Sequence, residues 1–268
     1  MSVSRNRTTG PLGSVESSLL AKVGHLATFS ISDARQALEP RQRVFAAQIL
    51  GRLREKGWVA RVARGRFAVI PLSSGTTGSA QLHECVVAME LARPAAIAYF
   101  SALNHHGLTE QLPRTVFVAT DHPVRRRQRE SLGVTFRIVS VRPHKYFGIQ
   151  KAWAGDLEFS VTNLEKTIID ALDLPGHAGG VGLVTTALRS HWDRVDETRL
   201  RDYARRIGNS AAAKRLGFLM ETLGLGDAEA LRKAVTLGTG FPRLDPALPP
   251  RGSHNRRWGL LLNMKVAP

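Results

Sequence analysis

The chain has 268 residues, with Lys+Arg 38 against Asp+Glu 22, a formal net charge of +16 and 43% hydrophobic residues. That length is about twice a common domain, so two domains with sizeable cores are expected, and the apolar content excludes a disordered basic tail. The charge favours polyanionic partners, nucleic acid first, and Cys85 as the lone cysteine excludes an intrachain disulfide and any thiolate-rich metal centre.

The first residues, MSVSRNRTTGPLGS, are polar and lack the apolar run of a signal peptide, and no stretch reaches the roughly 18 apolar residues that cross a bilayer. A cytoplasmic, nucleoid-associated protein without a membrane partner is expected. Turn formers cluster at Ser73-Ser74-Gly75-Thr76-Thr77-Gly78-Ser79, which reads as a linker between a first domain, 1–72, and a second, 80–268.

In the first block, Val15 to Leu26 carries the apolar periodicity of a helix and Thr28 to Ile31 reads as a short strand. Ser32 is placed as the N-cap of a short helix, Asp33 to Leu38. A third helix starts at Pro40 and runs to about Lys56, where Gly57 ends it. Two β-prone runs, Trp58 to Val62 and Arg66 to Ile70, flank Ala63-Arg64-Gly65 as a hairpin. Helix, strand, helix, helix, hairpin is the order of a winged helix-turn-helix.

On the third helix Ala46, Ile49, Leu50 and Leu53 form a core stripe, which leaves Arg41, Gln42, Arg43, Val44, Gln48 and Arg52 to face outward. Arg can bond guanine O6 and N7, Gln can bond adenine N6 and N7, and Val44 suits a thymine methyl. Arg61, Arg64 and Arg66 on the hairpin suit phosphates or the minor groove.

The second block mixes helices with strands and lacks regular βαβ alternation, so the class is α+β: an N-terminal winged helix-turn-helix followed by a larger mixed α/β domain. Helices are expected over Leu82 to Leu91, Ala95 to His106, Leu164 to Leu172 with Asn163 as cap, Val181 to Ser190, Glu197 to Ile207, Ala211 to Leu223 and Asp227 to Leu237. Strands are expected over Thr115 to Ala119, Val134 to Val141, Leu157 to Val161 and Trp258 to Asn263. The run Arg125-Arg126-Arg127-Gln128-Arg129 reads as a loop offering supplementary nucleic-acid contacts, as do Arg251, Arg256 and Arg257.

Enzyme signatures are missing. His83, Glu84, His105 and His106 lack metal-ligand spacing, so no metal and no other cofactor is expected. Asp156, Glu158, Glu165 and Lys166 come nearest to a nuclease set but lack its carboxylate-to-lysine alternation, which leaves a metal-dependent nuclease as a remote alternative. No phosphate-binding glycine loop or nucleophile elbow occurs, and Gly176 to Gly180 reads as a plain loop.

Three segments, Ala98-Tyr99-Phe100-Ser101-Ala102-Leu103-Asn104-His105-His106-Gly107-Leu108, Val161-Thr162-Asn163-Leu164-Glu165-Lys166-Thr167-Ile168-Ile169-Asp170 and Lys214-Arg215-Leu216-Gly217-Phe218-Leu219, stand in this order behind the basic block. Together they resemble the AbiEi family of antitoxins, regulators of viral defence systems. The resemblance implies a DNA-binding antitoxin, not an enzyme, that represses its own operon and counteracts a nucleotidyltransferase-type toxin, directly or through regulation alone. Because one winged helix covers few base pairs, paired protomers on an inverted repeat of double-stranded DNA are expected, with half-sites about 10 base pairs apart or a multiple. The other reading is a transcriptional regulator with a ligand-sensing second domain. Within the motifs, Ala102, Leu103, Leu108, Ile168, Ile169, Leu216, Phe218 and Leu219 read as core, while Asn104, His105, Glu165, Lys166, Asp170, Lys214 and Arg215 are the polar candidates for antitoxin work.

Overall fold

In the computed structural model of this chain, residues 10–70 and 82–267 are described. The linker expected at 73–79 lies outside them. The first unit contains α1 (Ser14–Val23), β1 (Phe29–Ser30), α2 (Ile31–Ala37), a 3-10 helix (Pro40–Phe45), α3 (Ala46–Glu55), β2 (Val59–Ala63) and β3 (Arg66–Val69). Its strands form a three-stranded antiparallel sheet in the order β1-β3-β2.

Two local expectations are corrected. The Ser30 hydroxyl accepts from the Asp33 amide while the Asp33 carboxylate accepts from the Ser30 amide, so Ser30 caps α2 and Ser32 lies inside it. The third helix is not continuous from Pro40, since a six-residue 3-10 segment precedes α3. The predicted stripe holds: Ala46, Ile49, Leu50 and Leu53 are buried against Leu19, Val23, Phe29, Val59 and Phe67.

The second unit runs through α4 (Glu84–Leu91), β4 (Ala96–Ile97), α5 (Tyr99–His105), β5 (Thr115–Thr120), β6 (Gln128–Ser131), β7 (Val134–Ser140), β8 (Ile149–Ala154), β9 (Leu157–Thr162), α6 (Leu164–Asp173), α7 (Val181–His191), α8 (Glu197–Arg206), α9 (Ser210–Leu223), α10 (Ala228–Ala234), β10 (Ser253–Asn255) and β11 (Leu260–Leu262). The fold is mixed α and β, centred on a six-stranded mixed sheet ordered β6-β7-β5-β4-β9-β8. The helix expected from Ala95 is a strand at its start, because Ala96 and Ile97 pair with Ala119 and Val118 of β5. The arginine run ends in a strand: Arg129 belongs to β6 and stands opposite Phe136 of β7.

The hairpin β2–β3 belongs to two cores at once. Strand alternation sends Val59 and Phe67 toward the helices of the first unit and sends Val62, Ala68 and Ile70 into a cluster with Cys85, Val87, Ala88, Leu91, Phe136 and Phe159 of the second. At the far side, α5 to α10 enclose a helical core around Ile168, Leu216, Leu219 and the fully buried Trp258.

Candidate nucleic-acid interface

Side chains reach the surface along α3 and along the 3-10 segment before it, which buries none of its residues. Arg41, Val44 and Gln48 are exposed, Val44 at 77%, and Gln42 is partly so. Arg43 is exposed but its Nε donates to the Leu38 carbonyl at 3.3 Å. Arg52 lies 3.6 Å from the buried carboxylate of Glu16, which tethers it.

Between α3 and the hairpin runs a groove of about 430 Å³ lined by Ala47, Leu50, Gly51, Arg54, Arg61, Arg64 and Phe67, with Ile31 and Gly65. Ala47, Gly51 and Arg54 recur at offsets of four and three on one flank of α3, so the groove side was open to detection by spacing, yet Arg54 was not among the expected contacts. Gly65 sits at φ +72°, a backbone that favours glycine and lets the hairpin turn tightly beside Arg64.

A second, larger cleft of about 1070 Å³ shares Arg61 and Arg64 with the first and continues to Arg125, Arg126, Gln128, Arg129 and Glu130. Val62, Ala63 and Leu91 supply its apolar lining. Two basic segments some 60 residues apart in sequence thus border one cavity. The Ser131 hydroxyl donates to the Val62 carbonyl at 2.7 Å, which fixes the edge of β6 beside β2. Arg127 is exposed but does not line the cleft.

Arg66 departs from its expected role. It bonds both oxygens of Glu90, at 2.7 and 2.9 Å, and the Thr28 hydroxyl at 2.9 Å. Arg93 also donates to Glu90, at 2.7 Å. Burial alone would raise the Glu90 pKa, but hydrogen bonds from Arg66, Thr28 and Arg93 prevail and hold the carboxyl below its ordinary value. Arg66 therefore joins the first unit to α4 rather than facing a phosphate. Arg257 is likewise engaged, 2.8 Å from Glu221 and 2.9 Å from Glu229, while Arg251 and Arg256 are exposed and line neither groove.

The polar motif residues of the second unit are mostly internal braces. Lys166 pairs with Asp170 inside α6, both nearly inaccessible, and burial raises the Asp170 pKa to about 6 despite the lysine. Glu165 receives the Asp196 amide at 3.0 Å and lies 3.3 Å from Arg199. Lys214 donates to the carbonyls of Gly238 and Gly240, and Arg215 to those of Leu172, Arg243 and Leu244. Asn104 spans a loop by bonding the carbonyls of Thr109 and Gln111, whereas His105 is exposed with its ring edge-on to Phe159. Asn163 caps α6 as expected, accepting from the Lys166 amide at 3.0 Å. Among the described residues no cluster of His, Cys, Asp and Glu could hold a metal, and no helix is long and apolar enough to cross a membrane.

No family model matches this chain, and no curated protein matches it. Its fold is similar to that in a crystal structure of the RV2827C protein from Mycobacterium tuberculosis, with a TM-score of 0.69 over 97% of this chain and 94% of that one, at 16% identity. At that identity the likeness concerns the fold alone.

Proposed function

We propose that this chain is a DNA-binding repressor whose first unit is a winged helix-turn-helix, with α3 and its preceding 3-10 turn as the reading element and the β2–β3 hairpin as the wing. The observation that carries this reading is the groove between α3 and the hairpin, lined by Arg54, Arg61 and Arg64, together with the exposure of Arg41, Val44 and Gln48 on α3 and the 3-10 turn before it. Arginine and glutamine on an exposed helix suit base edges, and arginines on a glycine-tipped hairpin suit phosphates. The chain is read as cytoplasmic and nucleoid-associated, acting as paired protomers on an inverted repeat, because one such module covers too few base pairs for genomic specificity.

The antitoxin role rests on the three AbiEi-like segments. Apart from the exposed His105 and the half-buried Asn104, their polar residues are internal, so we assign opposition to a nucleotidyltransferase-type toxin to the surface these braces hold in place, not to the braces themselves. Binding to the chain's own promoter should fall steeply with salt, since neutralised phosphates release counterions. Arg41→Ala and Gln48→Ala should each remove about 1–3 kcal/mol of preference for operator over random DNA, while Arg64→Ala weakens both alike. Equal losses on both DNAs for all three variants would remove the reading helix. Co-expression with the toxin encoded beside the gene tests the antitoxin role, and loss of protection only when the second unit is altered would separate it from repression.

A further inference from the structure

The geometry points to a further phosphate-binding site in the cleft between the hairpin and β6, centred on Arg129 with Arg125 and Arg126 and bordered by Arg61 and Arg64, which it shares with the α3 groove. It extends the DNA reading to a second place and can be tested without it, since nothing in it requires α3 to read bases.

Among the described residues, five arginines line this cleft against a single carboxylate, Glu130. Some arginines elsewhere meet acids, Arg66 and Arg93 at Glu90, Arg199 at Glu165, and Arg257 at Glu221 and Glu229, so what sets the cleft apart is the gathering of its arginines on one concave surface. Among the described residues none of the five cleft arginines has an ion-pair partner within 4.0 Å, although they converge on one cavity, Arg61 and Arg64 from the hairpin, Arg125 and Arg126 from the loop before β6, and Arg129 from β6 itself. Like charges gathered around a concave, partly low-dielectric surface raise the local potential for an anion.

Arg129 adds an independent sign. Its Nε is buried, and it is the one such side-chain donor among the described residues with no hydrogen-bond partner. Buried donors are ordinarily satisfied, so an unpaired one on a half-buried arginine at the cleft wall calls for an explanation, and an anion or water drawn to the cleft is one. The planar guanidinium matches phosphate oxygens in bidentate fashion. The apolar stretch of Val62, Ala63 and Leu91 beside the arginines suits a sugar attached to that phosphate. The ligand chemistry is thus a phosphate-bearing chain, supplied either by the backbone of bound DNA or by a free polyphosphorylated nucleotide.

Thermal melting of the full chain with millimolar sodium pyrophosphate, against sodium chloride of equal ionic strength, tests the free ligand. A shift of several degrees in the parent chain that vanishes in Arg126→Gln and Arg129→Gln supports the site and identifies a small ligand as its source, because a ligand that binds only the folded state raises Tm. No pyrophosphate shift, but a fall of about tenfold in affinity for operator and random DNA alike in the double variant, with a salt slope shallower by about two, supports the site with DNA backbone as its source. Retention of the Arg41 and Gln48 sequence preference in that variant would separate the cleft from the reading helix. Arg126 is exposed, so its single variant repeats the test without disturbing packing. If Arg129→Gln lowers Tm by several degrees without ligand, or if neither pyrophosphate binding nor DNA affinity responds, the site is overturned.

Discussion

Arginine does opposite work in the two halves of this molecule. Around the hairpin and β6, Arg61, Arg64, Arg125 and Arg126 are exposed and face open cavities, whereas in the helical core Arg215 is buried and spends its donors on the carbonyls of Leu172, Arg243 and Leu244. The glycines tell the same story. A Cβ on Gly217, in the middle of α9, would fall 2.1 Å from the Trp258 ring, while a Cβ on Gly51, in the middle of α3, would meet nothing within 4 Å. The basic half is built with space around these cations, and the core of the helical half uses Lys214, Arg215 and Gly217 to close space.

If that contrast holds, the largest effects of substitution fall in the helical core. Arg215→Ala should destabilise the protein by roughly 3–5 kcal/mol, because several buried carbonyls lose their donors together. Gly217→Ala should cost about 1–3 kcal/mol or more through overpacking against Trp258. Denaturant unfolding of both variants checks this, and a loss under about 0.5 kcal/mol for either would place it with ordinary surface positions and break the comparison.

Much of this core was legible beforehand. Ile168 and Ile169 on α6, Leu216 and Leu219 on α9 and the Asn163 cap follow from helical period and capping chemistry. The strand β4 was hidden because two residues inside an apolar run carry no period of their own. The strand β6 was hidden because Gln128-Arg129-Glu130-Ser131 is polar throughout and is held as a strand by its pairing with β7, not by its own propensity. The meeting of Arg64 with Arg126 is tertiary and has no local signature. The partner of Arg66 was likewise invisible, since Glu90 is 24 residues away and beyond the linker.

That pair supplies an intermediate effect and locates the seam between the halves. Glu90→Gln should cost about 1.5–3 kcal/mol, the range for hydrogen bonds involving charged groups. Its pH dependence has a definite sign. The folded carboxyl sits below its ordinary value of 4.5, so its contribution is complete above that value and disappears as pH falls through the folded pKa. The stability difference between parent and variant should therefore be larger at about pH 7 than at about pH 3.5. A pH-independent difference would mean that the amide's packing, not the lost charge, dominates. Asp170 works in the other direction: its pKa, raised to about 6, makes its ionised form disfavoured in the fold, so that contribution weakens as pH rises from 3.8 toward 6. Both proteins carry Asp170, and the subtraction removes it.

The smallest effect is the sharpest test of openness, because its sign reverses. Gly51 lies inside α3 with ordinary helical backbone, since its φ is not among the positive ones, and it lines the groove with Arg54, Arg61 and Arg64. Glycine in a helix interior carries a backbone-entropy cost that alanine avoids, and no neighbour stands where the new methyl would go. Gly51→Ala should therefore stabilise the chain by about 0.5–1 kcal/mol, opposite in sign to Gly217→Ala. The added Cβ also narrows the groove, so operator affinity should weaken while Tm rises if DNA backbone enters there. That combination cannot come from a folding defect, because a less stable fold lowers both. A fall in Tm on Gly51→Ala would mean that the groove is packed shut, and the division between an open basic half and a closed helical half would fail at the position where it predicts a gain.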